Sequence, residues 1–120
     1  MTDPKVNDYL QQLHDPLHFE LINYFHEKLT LDYGLRPKLR YAIPFYDKNH
    51  WIVYLNPVKK KGIELCFLKG REMFDTMHLL NFKERTMVAG LEFLEPKINF
   101  AFEDCMEEAL RLDGVYKKRR

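Results

Sequence analysis

Four carboxylates near the carboxyl end of the chain have the residue types and the spacing that could bind a metal ion. They are Glu103, Asp104, Glu107 and Glu108, and on a helix they form two pairs one turn apart. A hard cation binds to several converging carboxylate oxygens, so this ridge predicts weak metal binding at the surface. The alternative is a solvated acidic face at the start of a helix, where negative charge is favourable and Glu107 pairs with Arg111.

Aromatic side chains make a second candidate site, for an apolar ligand. They lie in runs that favour β-strands, and they are Tyr41, Trp51, Tyr54 and Phe67. Together with the apolar segment 71–85 they could enclose a concave pocket, which is the usual form of a small-molecule site. The alternative is ordinary packing, because aromatic residues at alternating strand positions also fill cores.

Residues for nucleophilic, nucleotide or zinc chemistry are absent from the sequence or poorly placed. The chain has no serine, so it is not a serine hydrolase, and its five glycines form no phosphate-binding loop. Cys66 and Cys105 lie in apolar runs, where an inert core thiol is expected. The histidines are His14, His18, His26, His50 and His78. His14 and His18 have the spacing of a zinc-binding helix pair, but Pro16 and the Asp15 cap place His14 outside the helix. We therefore expect a protein that is not an enzyme and that has no structural zinc.

A basic cluster in the middle of the chain raises the question of nucleic-acid binding. It comprises Lys59, Lys60, Lys61, Lys69 and Arg71. Proteins that coat nucleic acid have strongly basic surfaces, whereas the formal net charge here is +1. The residues at 56–62 have the composition of a connection between two strands, so the triple lysine is interpreted as a solvated hairpin tip. We do not expect a nucleic-acid partner.

The composition indicates one ordinary globular domain. Of the 120 residues, 46% are hydrophobic and 31% are charged. The net charge is −4 over residues 1–34, +7 over 35–71, −6 over 72–115 and +4 over 116–120. Such segregation suits pairing between segments as much as binding of an outside partner. No apolar run has the length of a membrane span and no secretory signal is visible, so we expect a soluble cytoplasmic protein without a membrane partner.

Helices are predicted at both ends of the chain. Asp3 and Asp15 each precede a proline, which combines a capping carboxylate with a residue suited to the first helical position. The second of these helices ends at Gly34, in the left-handed conformation. A final helix begins near Asn99, and Gly114 is expected to close it.

The centre of the chain has the period-two pattern of β-strands. Strands are predicted over residues 39–43, 51–55, 63–68 and 86–93, and the short links between the first three predict an antiparallel meander. The segment 71–85 is predicted as a partly helical excursion that packs on the core. The order of elements gives an α+β, two-layer fold, with an antiparallel β-sheet of about four or five strands packed against N-terminal and C-terminal helices.

Three stretches of the sequence carry a resemblance to a known family. They are LRYAIPFY at 39–46, WIVYLNPVKKKGIELCFLKG at 51–70 and MEEALRLD at 106–113. They resemble the YdhG-like family, domain of unknown function 1801, whose members are small bacterial α+β proteins. The resemblance covers roughly residues 5–113. Some members are described as intracellular iron chaperones with a frataxin-like role, which implies iron handling but brings no catalytic motif.

The sequence thus predicts a single YdhG-like domain over residues 1–115, followed by a basic, frayed tail at 116–120. Because both sides of the strand at 51–55 are apolar, either the segment 71–85 covers the second side, or that side forms a pocket or a homodimer surface. The predicted function is that of a non-enzymatic cytoplasmic binding or carrier protein. Iron, weakly held at the surface, is the cofactor that the resemblance implies, and the alternative is a module that binds a small apolar ligand or a protein partner.

Overall fold

The computed structural model describes residues 3–75 and 77–117. Its helices are α1 (Pro4–Gln11), α2 (Pro16–Glu27) and α3 (Phe100–Lys117), and its strands are β1 (Arg36–Arg40), β2 (Ile43–Asp47), β3 (Trp51–Pro57), β4 (Ile63–Phe67) and β5 (Ala89–Phe93). A π-helical turn, Lys28–Asp32, extends α2, and a 3₁₀ turn, Gly70–Glu72, follows β4. The predicted α+β fold is confirmed, because helices from both ends of the chain pack on one antiparallel sheet.

The helices begin where the sequence predicts. A carboxylate oxygen of Asp3 accepts a hydrogen bond from the Lys5 amide at 2.8 Å, and Asp15 accepts one from the Leu17 amide at 2.8 Å. Asn99 caps α3 in the same way, with its side-chain oxygen 2.8 Å from an amide of the first turn. These side chains satisfy N–H groups that have no partner within the helix, and so they fix where each helix starts.

The two predicted helix ends have different outcomes. Gly34 has φ of 67°, as predicted, and the Leu35 amide donates to the Leu29 carbonyl at 3.0 Å to close the end of α2 and its π-helical turn. The prediction for Gly114 is wrong, because α3 continues through it to Lys117. A glycine within a helix costs only about 1 kcal/mol, which packing of α3 offsets. No helix in the described part of the chain is both long enough and apolar enough to cross a membrane.

The sheet has the strand order β1–β2–β3–β4–β5, and each strand is antiparallel to its neighbours. Side chains that alternate towards the helices are fully or nearly fully buried: Val53, Leu55, Ile63, Leu65 and Phe67. Phe25 of α2 and Phe102 of α3 meet Phe93 of β5, with ring centroids 4.5 and 6.2 Å from it. These rings join the two layers into one core.

The opposite side of the sheet, here called the second face, carries a row of paired residues. Phe45 lies opposite Tyr54, Tyr54 lies opposite Cys66, and Cys66 lies opposite Gly90. Directly paired residues point to the same side of a sheet, so this row runs across the face that the helices leave uncovered. Glu64 lies on the same face as Cys66, two residues earlier in β4.

The prediction of one strand over residues 39–43 is wrong, because a turn divides this segment between β1 and β2. Tyr41 and Ala42 have φ of 53° and 65° and form a two-residue turn between β1 and β2, with Arg40 paired to Ile43. Positive φ at both positions is typical of the tight hairpin turn whose twist matches its strands. The alternating apolar residues at 39–43 run through this turn, and no glycine or asparagine indicates it. The pattern therefore merged the end of β1 with the start of β2.

The segment 71–85 is predicted as a partly helical excursion that packs on the core. Its first two residues end the 3₁₀ turn, and Met73, Leu79 and Leu80 pack on the core, but no α-helix forms in the described part of the segment. Asp75 instead organises a turn, because its two carboxylate oxygens accept hydrogen bonds from the amides of Leu79 and Leu80 at 2.7 and 3.0 Å. Farther along, Asn81 and Gly90 exchange two backbone hydrogen bonds of 2.9 Å each. This single bridge satisfies backbone groups at the outer edge of β5.

Candidate functional site on the sheet

A groove of about 530 Å³ lies beside Trp51, and we call it the Trp51 groove. It is bounded by the β2–β3 connection, the residues that follow β4, and Met87. Its lining residues are Asp47, Asn49, His50, Trp51, Leu68, Lys69, Glu72 and Met87. Sites for small molecules have volumes of about 300–1,000 Å³, so the groove has the size of such a site, and Trp51, Leu68 and Met87 give it an apolar part.

The indole of Trp51 is held by a cation and by an aromatic neighbour. The guanidinium carbon of Arg40 lies 4.8 Å from the centre of the ring, and Phe45 meets the ring edge-on at 6.0 Å and 87°. Both contacts favour one orientation of the indole. Because Trp51 is only half-buried, it gives the groove a fixed aromatic wall that remains accessible.

The rim of the groove is tied to α3 through a buried carboxylate. Asp113 is 4% exposed, and it accepts hydrogen bonds from the Asn49 amide at 3.1 Å, the Asn49 side-chain amide at 2.8 Å and the His50 amide at 2.8 Å. Charge-assisted hydrogen bonds of this kind are stronger than neutral ones. The β2–β3 connection is therefore positioned by the last turns of the C-terminal helix.

A stacked aromatic pair continues from Trp51 across the second face. The rings of Phe45 and Tyr54 are 4.8 Å apart and 25° from parallel. Burial raises the pKa of Tyr54 to about 12, and burial likewise raises the pKa of the neighbouring Cys66 thiol to about 12. Both groups are protonated at neutral pH, so neither is an activated nucleophile. Cys66 and Cys105 are buried and unpaired, as the sequence predicts.

A network of ion pairs occupies the far end of the second face. Glu64 is only 3% exposed, and its two carboxylate oxygens lie 2.6 and 3.3 Å from the terminal nitrogens of Arg85. Lys83 lies 3.8 Å from Glu64 and contacts Glu92. The hydrogen bond to Glu64 raises the pKa of Arg85 above its usual value. Gly90 makes room for this carboxylate, since a Cβ there would lie 2.4 Å from an oxygen of Glu64.

The four aromatic residues predicted as one site are not brought together. Trp51 and Tyr54 both contact Phe45. Tyr41 is 80% exposed at the β1–β2 turn and lies at the margin of this group. Cys66 shares the second face with Tyr54, and successive residues of a strand point to opposite faces. Phe67 therefore points towards the helices and is fully buried in the core. The Trp51 groove therefore uses Trp51 alone of the four predicted residues.

The four acidic residues predicted as a metal ridge all lie on α3, but they differ in their contacts and in their exposure. Glu108 accepts hydrogen bonds from the backbone amides of Phe74 and Asp75 and so holds the segment after the 3₁₀ turn. Glu107 lies 3.5 Å from Arg111, the pairing that the sequence predicts. Glu103 and Glu107 are exposed, whereas Asp104 and Glu108 are half-buried. Within residues 3–75 and 77–117, no three metal-binding side chains come together.

The triple lysine of the basic cluster is exposed at the β3–β4 hairpin, as predicted. The Val58 amide donates to the Gly62 carbonyl at 3.0 Å across this connection. On α2, the ring nitrogen Nε2 of His18 lies 2.9 Å from the carbonyl oxygens of both Val58 and Lys61. The loop is thereby held against the helix layer while its lysine side chains face solvent.

Sequence reasoning missed Glu64, Arg85 and Asp113. A signal exists for Glu64, since it interrupts an otherwise apolar strand, and a buried carboxylate requires a cationic partner. Nothing in the sequence indicates which cation this is, because Arg85 lies 21 residues away. Asp113 follows the apolar stripe of α3, and its partners in the β2–β3 connection become evident only from the packing of α3.

Comparison with known proteins bears on the fold. No protein-family model matches the sequence, and no curated protein matches it significantly. The crystal structure of YdhG from Bacillus subtilis, a protein of the DUF1801 family, superposes with a TM-score of 0.65. The match covers 91% of this chain and 90% of the YdhG chain at 17% sequence identity. This chain has the fold of a DUF1801 protein. At 17% identity the likeness to YdhG bears on the fold alone. It confirms the α+β fold that the sequence resemblance to the YdhG-like family implies.

Proposed function

We propose that the protein is a non-enzymatic binding protein that holds a small, neutral aromatic molecule in the Trp51 groove. The observation that carries the proposal is the groove itself, a concavity of about 530 Å³ beside an indole whose orientation is fixed by Arg40 and Phe45. A preformed aromatic wall lowers the entropic cost of binding a flat ligand, because the wall does not have to be ordered first.

The lining of the groove favours a neutral ligand with an apolar surface. Trp51, Leu68 and Met87 supply apolar atoms, and the flexible side chain of Met87 adapts its shape to different ligands. Asp47, Glu72 and Lys69 place charges of both signs around the rim. Asp47 is paired with Arg36 at 3.1 Å, and Glu72 and Lys69 carry opposite charges, so the rim offers orienting hydrogen bonds and little net attraction for an ion.

The thiol and phenol of the second face support a binding role over a catalytic one. Burial holds the pKa values of Cys66 and Tyr54 at about 12, far from the range in which either group accepts or gives up a proton during turnover. Catalysis by nucleophilic attack requires an activated group, and these two lack activation.

Trp51 is the single tryptophan of the chain, so its fluorescence reports directly on the groove. The test titrates the full chain with small neutral phenols and benzyl alcohols. We expect a saturable change in emission for at least one compound, with a Kd on the order of micromolar to millimolar. Met87→Glu is expected to abolish it, because it places a charge in the apolar wall, whereas Tyr41→Ala, outside the groove, is expected to leave it intact. The proposal would be contradicted if no compound of the series gave a saturable change in Trp51 emission, or if the Met87→Glu variant bound the compounds as tightly as the wild-type chain.

Weak iron binding is a second proposal, and the exposure of two α3 carboxylates is what favours it. Glu103 and Glu107 are exposed and one helical turn apart. Two carboxylates supply too few oxygens for a tight site, so any ferrous ion keeps most of its water. Anaerobic ferrous titration should broaden amide NMR signals of both residues and not those of a Glu103→Gln, Glu107→Gln variant. No broadening at millimolar iron would exclude this role.

A further inference from the structure

Residues 77–88, here called the strap, approach the second face of the sheet and are held there by polar contacts. Asn81 forms the bridge to Gly90, Lys83 pairs with Glu92, and Arg85 reaches Glu64. None of the side chains at positions 81–87 is fully buried. A segment with few buried apolar contacts opens locally at a lower free energy than the rest of the fold.

The backbone of the strap is strained. His78, Lys83 and Glu84 have φ of 54°, 49° and 66°. Residues with a Cβ disfavour this left-handed region, so such conformations persist only where other contacts hold them. Three contacts join the strap to buried parts of the fold: the ion pair between Arg85 and Glu64, the backbone bridge from Asn81 to Gly90, and the packing of Leu79 and Leu80 on the core. The strap is thus a strained segment in which Arg85 makes the two-pronged side-chain contact with the second face, beside the backbone bridge of Asn81.

The site that the Arg85 guanidinium occupies is complementary to its planar shape. Both terminal nitrogens of Arg85 face the carboxylate of Glu64, and one of them lies 3.6 Å from the sulfur of Cys66. Gly90 leaves the space into which the carboxylate fits, and Tyr54 lies beside Cys66 on the sheet. A planar fork that makes two parallel contacts with a carboxylate distinguishes a guanidinium from an ammonium group.

We propose that Arg85 is the resident occupant of a guanidinium-binding site, and that a small molecule carrying a guanidinium group binds to Glu64 when the strap lifts. Lifting the strap without a ligand breaks the ion pair of Glu64 with its closest counter-ion and leaves this carboxylate unpaired on the sheet, which is unfavourable. A guanidinium ligand removes that cost, so the ligand selects the open strap. This site differs from the Trp51 groove, and the proposal stands or falls independently of the proposed function.

The first experiment replaces the occupant. Arg85→Ala in the full chain should lower the melting temperature, and methylguanidinium chloride at about 10 mM should restore part of the loss by binding to the folded state. Methylammonium chloride is the matched salt, and we expect at least about tenfold weaker rescue from it because it lacks the fork. The double variant Arg85→Ala, Glu64→Gln should show no rescue. Equal responses of the single and double variants would overturn the proposal.

A second experiment covers the case in which Arg85→Ala does not fold. Agmatine, a small guanidinium compound, is added to the wild-type chain while amide hydrogen exchange is followed. We expect exchange at the Asn81 and Gly90 amides, which form the strap bridge, to accelerate severalfold, with the Leu65 amide in the sheet centre unchanged. Unchanged exchange at Asn81 and Gly90 up to tens of millimolar agmatine would overturn the proposal.

Discussion

The guanidinium of Arg40 lies over the indole of Trp51, with 4.8 Å between the guanidinium carbon and the ring centre. Arg40 is the last residue of β1 and Trp51 is the first residue of β3, so the contact crosses the intervening strand β2. Phe45 of β2 lies between them and contacts both. The aromatic wall of the groove is therefore set by the pairing of three strands.

Removing the guanidinium tests this relationship. Arg40→Ala should lower the free energy of unfolding by about 1 kcal/mol, because a cation–π contact of this kind contributes that order of stability. Tryptophan emission should shift to longer wavelength as water reaches the indole. Urea denaturation followed by fluorescence measures both, and Lys38→Ala, on the same strand, is the control. An Arg40→Ala variant with unchanged emission would show that the indole is held by other contacts.

Two substitutions at positive φ should have opposite effects. Ala42→Gly should raise the free energy of unfolding by about 1 kcal/mol, since glycine adopts the φ of 65° seen here without strain. Gly34→Ala should lower it by a similar amount, because φ is 67° and no atom within 4 Å adds a clash. Thermal denaturation of both variants measures the pair. Destabilisation by Ala42→Gly would contradict the left-handed conformation of that turn.

Acidification should destabilise the fold through His26. Its Nδ1 atom lies 2.8 Å from the Tyr46 hydroxyl, and burial lowers the pKa of His26 below 6.5, outweighing the opposite effect of Glu27. Just below pH 6.5 the unfolded chain therefore binds a proton that the folded chain does not, so stability is fully present at higher pH and decreases as the pH falls.

Urea denaturation over about pH 7.5 to 5.5 measures this dependence. His26→Gln keeps a polar side chain but has no proton to take up, so part of the loss on acidification should disappear in this variant. Identical pH profiles for the wild-type protein and the His26→Gln variant would mean that His26 has the same pKa in the folded and the unfolded chain.

Glycine substitutions on the sheet and on α3 make a matched comparison. Gly90→Ala should cost about 1–3 kcal/mol, because the new Cβ would lie 2.4 Å from an oxygen of Glu64 and displace the carboxylate from Arg85. Gly114→Ala should instead stabilise the protein by about 1 kcal/mol, since it is within α3 and has open space around it. Chemical denaturation of both proteins tests the pair, and a neutral Gly90→Ala would show that Glu64 relocates easily.

The sequence predicts those parts of the fold that depend on local chemistry. The caps Asp3 and Asp15 act within three residues of themselves, and Gly34 ends its helix through its own backbone freedom, so each is visible in the local pattern. Ala42 shows the limit of this reasoning. It adopts a conformation that its residue type disfavours, because pairing of β1 with β2 imposes the turn.

The candidate site depends on contacts between distant residues, which local patterns do not reveal. Trp51 is a plausible ligand contact from its type alone, but its groove needs Met87 and the β2–β3 connection that Asp113 positions. Phe67 has the same residue-type signal as Tyr54 and lies on the opposite face. One position of register along β4 separates a core residue from a second-face residue.

The most direct test of a binding role for the Trp51 groove is an NMR chemical-shift map on the labelled full chain with a small neutral phenol. The account predicts the largest shifts at the Trp51 indole N–H and at the amides of Leu68 and Met87, and saturation of all three at one Kd. The same map with ferrous iron would move the α3 amides of Glu103 and Glu107 instead. Phenol shifts confined to α3, or none at Trp51 up to the solubility limit, would contradict the central claim.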